Sequence, residues 1–278
     1  MQTSLVSAAV AACWLLTGVG VAQQGQSFPK VTIAGSAVRT IKSAATGRQM
    51  DLYLHLPADY DRDKTKKYPA LYILDGQWDF KLMDSVLGGL VYDHFAPETI
   101  LVGITYSGDD ADYNSLRGMD LTPVADGQVK GSGNAANFLK FLKAEAIPFV
   151  ETNYRADPAR RVLQGSSFAG LFTLYTLFSD PGLFAAYVAA SPSVTFGNRY
   201  AFRQEAEFAK EHSELPVKLY LAVGGSEGLS RPVQEFMQVL QSRGYKGLKL
   251  ETRVIEGERH AGNKPELFNR GLRFVFAE

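Results

Sequence analysis

Five short apolar runs, "PALYILDG", "TILVGITY", "RRVLQG", "VKLYLAVGG" and "LKLETRVIEG", constrain the fold of this chain more than any other feature. Each ends in turn residues, and each is separated from the next by enough chain for a helix. A strand buried on both faces reads as a continuous apolar run, whereas a strand with one wet face alternates. The five runs are therefore predicted to be mostly interior strands, and "MDLYLHLP", which alternates, a half-buried one. The spacing predicts helices over "NAANFLKFLKAEAIPFVETNY", "SFAGLFTLYTLF", "SRPVQEFMQVLQSRG" and "NKPELFNRGLRFVF". In the last of these Asn263 can cap and Pro265 fits the first turn. Strand and helix in alternation imply an α/β fold, a mostly parallel sheet with helices on both faces. In such sheets reactive groups gather in the loops beyond the carboxyl ends of the strands. No repeat or interior linker interrupts the pattern, so residues 23–278 are expected to form a single domain. With 46% hydrophobic residues the chain can bury a sizeable core.

Charge excludes some partners. Lys+Arg and Asp+Glu both number 29, with no basic run, so nothing draws the chain to nucleic acid or an anionic membrane. Residues 5–22, "LVSAAVAACWLLTGVGVA", are uncharged and apolar and end in small residues. They are expected to be an export signal cleaved after Ala22, giving a periplasmic or secreted protein with no stable membrane association afterwards. A retained anchor is the rival reading. "VAAC" also resembles a lipoprotein cleavage box at Cys13, although the apolar run continues beyond it. Cys13 is the only cysteine, so a chain cut after Ala22 has no disulfide and must rely on core packing.

After "RRVLQ" the chain must turn sharply into a helix through "GSSFAG", which offers two adjacent serines. With Ser167 at the apex, the residues two before and two after are Gly165 and Ala169, small enough for the chain to pass close to itself. With Ser166 there, they become Gln164 and Phe168, which should clash. Ser167 is therefore the candidate nucleophile, on a strained strand-to-helix turn. A plain β-α turn is the alternative. A serine hydroxyl also needs an imidazole to take its proton and a third group to orient that ring.

Of the four histidines, His55 falls in a predicted strand, and His94 and His212 fall at or near helix ends. His260 lies in "EGERHAGN", after a strand and before the final helix. Glu227 is the only carboxylate in "SEGLS", after the preceding strand. The order Ser167, Glu227, His260 is the one the α/β-hydrolase fold requires. Glu256 and Glu258 are substitutes for the acid. Negative charge developing on a carbonyl oxygen needs fixed N–H donors. Phe168 supplies one candidate amide and Gln77, in "DGQWDF", the other. Gly76 would permit the turn there and Trp78 could wall the pocket. An ordinary Asp-Gly turn is the alternative reading.

Together, "PALYILDGQWDF", "SLRGMDLTP", "LQGSSFAGLFTLYTLF", "AAYVAASPSV" and "GERHAG" make the chain resemble the putative-esterase family of α/β-hydrolases from about Met50 onward. That family includes siderophore esterases, esterase D and the antigen 85 mycolyltransferases. "SPS" and "RGMDLTP" look closest to the siderophore-esterase branch. The resemblance implies an α/β-hydrolase fold and a serine carboxylic-ester hydrolase working through an acyl-enzyme on a small-molecule ester, without a cofactor. It implies Ser167 as nucleophile, His260 as base, an acid at or near Glu227, and oxyanion amides from Gln77 and Phe168. Some members of the branch work with a Ser-His dyad, which leaves the acid open. "GSSFAG" departs from the common "GHSxGG" at Ser166 and Ala169. Arg117, expected in the loop after "TILVGITY", matches a position lining the substrate side; a salt bridge to Asp120 is its alternative. The acidic "GDDADY" lacks the spacing of a calcium loop and is expected to be solvated. An acyltransferase and a non-catalytic ligand-binding protein are the rival functions. Oligomeric state is not legible.

Overall fold

The computed structural model describes residues 31–277; the candidate cleavage sites at Ala22 and Cys13 lie outside them. Residues Ala34–Glu278 form one compact unit around an eight-stranded sheet. Its strands are β1 (Ser36–Lys42), β2 (Gln49–His55), β3 (Tyr68–Ile73), β4 (Ile100–Tyr106), β5 (Ala156–Ser166), β6 (Ala186–Ala190), β7 (Lys218–Gly224) and β8 (Lys249–Ile255). In space they run β1-β2-β4-β3-β5-β6-β7-β8. β1 and β2 pair antiparallel, as do β2 and β4, and all the other neighbours are parallel. The mostly parallel sheet read from the sequence is thus present.

Burial follows the strand patterns. β3, β4 and β6 are buried at every residue, and β2 alternates as a one-sided strand does. β8 corrects the expectation of an interior strand: it is the sheet's edge, and most of its residues stay partly exposed. Its sequence shows the reason, since Lys249, Glu251 and Arg253 interleave with the apolar residues, and charges on an edge strand discourage pairing with other chains.

Helices cover both faces. α1 (Gly76–Tyr92) and α8 (Lys264–Phe276) pack together on one side. On the other lie α2 (Tyr113–Asp120), α3 (Ala135–Phe141), α4 (Ile147–Asn153), α5 (Phe168–Ser179), α6 (Phe196–Glu211) and α7 (Ser230–Arg243). There Phe178, Phe202 and Phe236 lock α5, α6 and α7 through edge-on ring contacts. The single helix expected over residues 134–154 is divided by a π-helical turn, Leu142–Ala146, between α3 and α4. Gly197, Asn198 and Arg199, near the start of α6, are left-handed in succession, with φ of 57°, 54° and 59°. Among the described residues no helix is long and apolar enough to cross a membrane.

The sheet order fixes where a site can form. From β3 the chain steps outward to β4, then returns to place β5 on the other side of β3. Loops leaving the carboxyl ends of β3 and β5 therefore diverge and leave a crevice, the usual ligand position in open α/β sheets. β3 feeds α1 through Asp75, and β5 feeds α5 through Ser167.

Candidate active site

At the end of β5 the two serines are held very differently. Ser166 is still in the strand, almost fully buried, and its hydroxyl has no hydrogen-bond partner among the described residues. Ser167 is the apex of the turn, with φ 64° and ψ −119°, a conformation that strains any residue bearing a Cβ. Its amide donates to the Ala190 carbonyl (3.0 Å), and its carbonyl accepts from the Ser193 amide (3.1 Å). Crowding around the turn is severe: a Cβ added to Gly165 would lie 2.4 Å from the Ala169 carbonyl oxygen. Gly170 brings α5 against the end of β6, where a Cβ would come within 2.8 Å of the Ala190 oxygen.

Two strands further along the sheet, β7 ends at Gly224 and the following turn carries Glu227; beyond β8 comes His260. Glu227 Oε2 hydrogen-bonds His260 Nδ1. The other oxygen, Oε1, accepts from Ser191 Oγ (2.6 Å), the Gly224 amide (2.7 Å) and Asn263 Nδ2 (2.9 Å). Asn263 Nδ2 also lies 2.9 Å from Ser191 Oγ. Burial alone would raise the Glu227 carboxyl, but the hydrogen bonds from His260, Ser191 and Gly224 outweigh it and hold the group below its ordinary range. Of the three carboxylates weighed from the sequence, Glu227 is the one that reaches the ring. No hydrogen bond joins Ser167 Oγ to His260 among the described residues; such a bond is commonly loose until substrate occupies the site.

Across the crevice, Gln77 and Phe168 lie in the first turns of α1 and α5, where an amide has no carbonyl of a preceding turn to bind. Gln77 is fixed by its side chain, whose Oε1 accepts from Thr105 Oγ1 at the end of β4 (2.7 Å). The turn before it differs from expectation. Asp75, not Gly76, takes the left-handed conformation, with φ 56°. Gly76 is required for close approach instead, because a Cβ there would sit 2.9 Å from the Gly103 carbonyl carbon of β4.

Trp78 remains 39% exposed beside this turn and meets Tyr113 edge-on. Arg117 lies in α2 rather than in a loop, and its partner is Asp75; Asp120 pairs with Arg48 instead. "GDDAD" is a loop whose last aspartate, Asp112, caps α2 by accepting from the Ser115 amide (3.1 Å), and Tyr113 opens the helix. Next to Phe168 is a cavity of about 350 Å³, lined among others by Gln128, Ser193, Phe196, Asn198 and Leu229. Among the described residues no cluster of His, Cys, Asp and Glu is suited to a metal ion.

Sequence reasoning missed Ser191 and gave Asn263 the wrong task. Asn263 occupies the cap position of α8 without a side-chain capping bond: its Nδ2 is directed at Glu227 and Ser191, and its Oδ1, the atom that would cap, is buried with no partner among the described residues. The proline after Ser191, in "SPS", was the available signal: it marks a chain leaving β6 in a turn rather than running directly into a helix.

A parallel sheet with a strained serine at the end of β5 and a carboxylate–histidine pair beyond β7 and β8 defines an α/β-hydrolase. The chain belongs to the family described as "Putative esterase", whose model matches residues 43–262, and it is a carboxylic-ester hydrolase. It is 26% identical over 264 residues to ferri-bacillibactin esterase BesA of Bacillus subtilis strain 168, covering 88% of this chain and 90% of that one. It is 32% identical over 226 residues to a siderophore enterobactin esterase of Emericella nidulans, covering 74% and 72%. Among solved structures, an IroE-like serine hydrolase from Shewanella oneidensis superposes with a TM-score of 0.77 at 25% identity, covering 87% of this chain and 80% of that one.

Proposed function

We propose that the protein hydrolyses siderophore esters through an acyl-enzyme on Ser167. The observation that carries this reading is the strained Ser167 turn on the same sheet edge as a histidine whose acid partner is held by three further donors. His260 takes the Ser167 proton as Oγ attacks the ester carbonyl. Glu227 fixes the ring so that Nε2 faces the serine, and it stabilises the imidazolium that forms. The negative oxygen of the tetrahedral intermediate accepts from the Gln77 and Phe168 amides, donors that need no reorganisation as the charge develops. Collapse breaks the ester C–O bond, and His260 returns its proton to the departing alcohol. Water, deprotonated by the same ring, then attacks the acyl-serine; the acid leaves and Oγ recovers its proton. The fixed acid favours a triad over the dyad.

The siderophore assignment rests on the relatives, two of which are named for siderophore esters. The uncharged apolar stretch over residues 5–22 supports export, which fits a substrate met outside the cytoplasm. The test is turnover of a catecholate trilactone followed by chromatography and mass spectrometry, beside p-nitrophenyl butyrate. We expect ring opening to linear products and a burst of p-nitrophenol. Turnover of the aryl ester alone would remove the siderophore assignment; absence of both, with no fluorophosphonate labelling of Ser167, would remove the mechanism.

A further inference from the structure

Arg117 resembles a substrate-binding arginine by position, but its geometry points elsewhere. Its Nε lies 2.9 and 3.1 Å from the two Asp75 carboxylate oxygens, and its Nη2 lies 2.7 Å from Oδ2. This is a side-on, bidentate grip. The pair is largely closed to water, with 13% of the Arg117 side chain and 4% of Asp75 exposed. The guanidinium is also flanked by two aromatic rings. Its central carbon is 5.6 Å from the Trp78 ring centre and 5.3 Å from that of Phe168, within range of cation–π attraction.

These partners share one feature. Asp75 is the left-handed residue that launches α1, Trp78 follows Gln77 in its first turn, and Phe168 opens α5. A single guanidinium therefore touches both helix starts that carry the proposed oxyanion amides. Those starts follow neighbouring strands whose pairing ends at Ile73–Gln164 and the Leu74 amide to Gln164 carbonyl bond (3.0 Å); beyond it no ladder bond joins the two turns. Asp75 also holds a conformation uncommon for a residue with a Cβ, which persists only where neighbours fix it.

We infer that Arg117 is a positioning residue that clamps the two oxyanion amides in register through Asp75, Trp78 and Phe168, and that it does not serve to bind an anionic group of the substrate. The inference rests on the acyl-enzyme reading above. A lysine cannot replace it, since an ammonium does not offer the two-pronged grip on Asp75.

The two roles predict opposite behaviour from Asp75. If Arg117 binds substrate, Asp75→Asn releases it to do so, and Arg117→Lys raises KM for anionic esters with kcat kept. If Arg117 is a clamp, Asp75→Asn, Arg117→Lys and Arg117→Met each lower kcat by about a hundredfold, the usual effect of losing an oxyanion donor. The loss should be equal on p-nitrophenyl butyrate and on the anionic p-nitrophenyl hemisuccinate, with KM changed less than about threefold. The Asp75→Asn/Arg117→Met double variant should be no worse than Arg117→Met alone, because losing the guanidinium already removes the Asp75 contact. Thermal melting identifies folded variants, and Asp75→Asn, nearly isosteric, carries the decision if Arg117→Met does not fold. Wild-type kcat retained in Asp75→Asn, or a loss confined to KM on the hemisuccinate, would overturn the clamp. Failure of the wild type on both esters would instead strike at the acyl-enzyme reading itself.

Discussion

Two histidines of this protein each hold a carboxylate at Nδ1, and comparing them shows what such a pair needs in order to be useful. His260 binds Glu227 and His55 binds Asp84. Glu227 is only 3% exposed and its second oxygen is held by three donors, whereas Asp84 is 22% exposed. His55 lies in a strand next to the sheet edge, and its Nε2 would lie 3.1 Å from a Cβ at Gly35, so that nitrogen faces backbone. His260 sits in a loop beyond the carboxyl ends of the strands, on the edge that also carries Ser167. The pairing alone is therefore uninformative. The anchoring of the acid and the edge on which the loop emerges separate the pair proposed to act on Ser167 from the other.

The comparison breaks most visibly at the serine. Ser167→Ala should lower kcat on p-nitrophenyl butyrate by at least about four powers of ten, as expected when one member of a jointly acting group is lost. Ser166→Ala, a change inside the strand, should stay within about threefold. Steady-state kinetics of both variants checks this, and comparable losses would dissolve the distinction between the two serines.

Next in size is the acid. Glu227→Gln should lower kcat by about three powers of ten by removing the charge that steadies the ring. It should also change the acid limb of stability. Because the fold holds Glu227 below its ordinary value of 4.5, the ionised form stabilises the native state above that pH. This contribution is lost as pH falls through the lower native value. Melting curves of wild type and Glu227→Gln should therefore lie furthest apart near pH 7 and draw together as the pH falls through the lowered native value. Parallel curves across that window would mean that the carboxylate is not held as described. Asn263→Ala, which removes one of the three donors to Oε1, should act in the same direction with a loss of about tenfold.

The smallest effect is expected at the other histidine. His55→Ala should leave kcat and KM within about twofold and shift stability by no more than about 1 kcal/mol, the range of a partly solvated ion pair. A large loss of activity there would erase the contrast drawn above.

What could be read in advance divides along physical lines. β3 and β4 are buried on both faces, so their burial is written as nearly continuous apolar residues, and the sheet and its loops follow from that; the end of β5 is as buried but carries Gln164 and Ser166 among its apolar residues. The loop positions of Glu227 and His260 follow in turn, each lying just past a recognisable strand. β8 misled because an edge strand can keep an apolar flavour while wetting most of its residues. Asp75 was passed over because an Asp-Gly pair conventionally gives the left-handed position to glycine, and only the approach of Gly103 reserves Gly76 for closeness. The partner of Arg117 is 42 residues away, and that of Asn263 is 36. Neither periodicity nor turn chemistry carries information over such separations.

The crowding at Gly165 has a consequence for how this turn can diverge. The atoms a methyl would strike first, at 2.4 and 2.5 Å, are the backbone oxygen and carbon of residue 169, not its side chain. Trimming Ala169 to glycine would leave that obstruction in place. Position 165 is thus closed to drift whatever its neighbour becomes, while position 169 keeps a small freedom of choice. Homologues gathered from any source should show that lopsided tolerance: one site frozen, the other alternating between the two smallest residues.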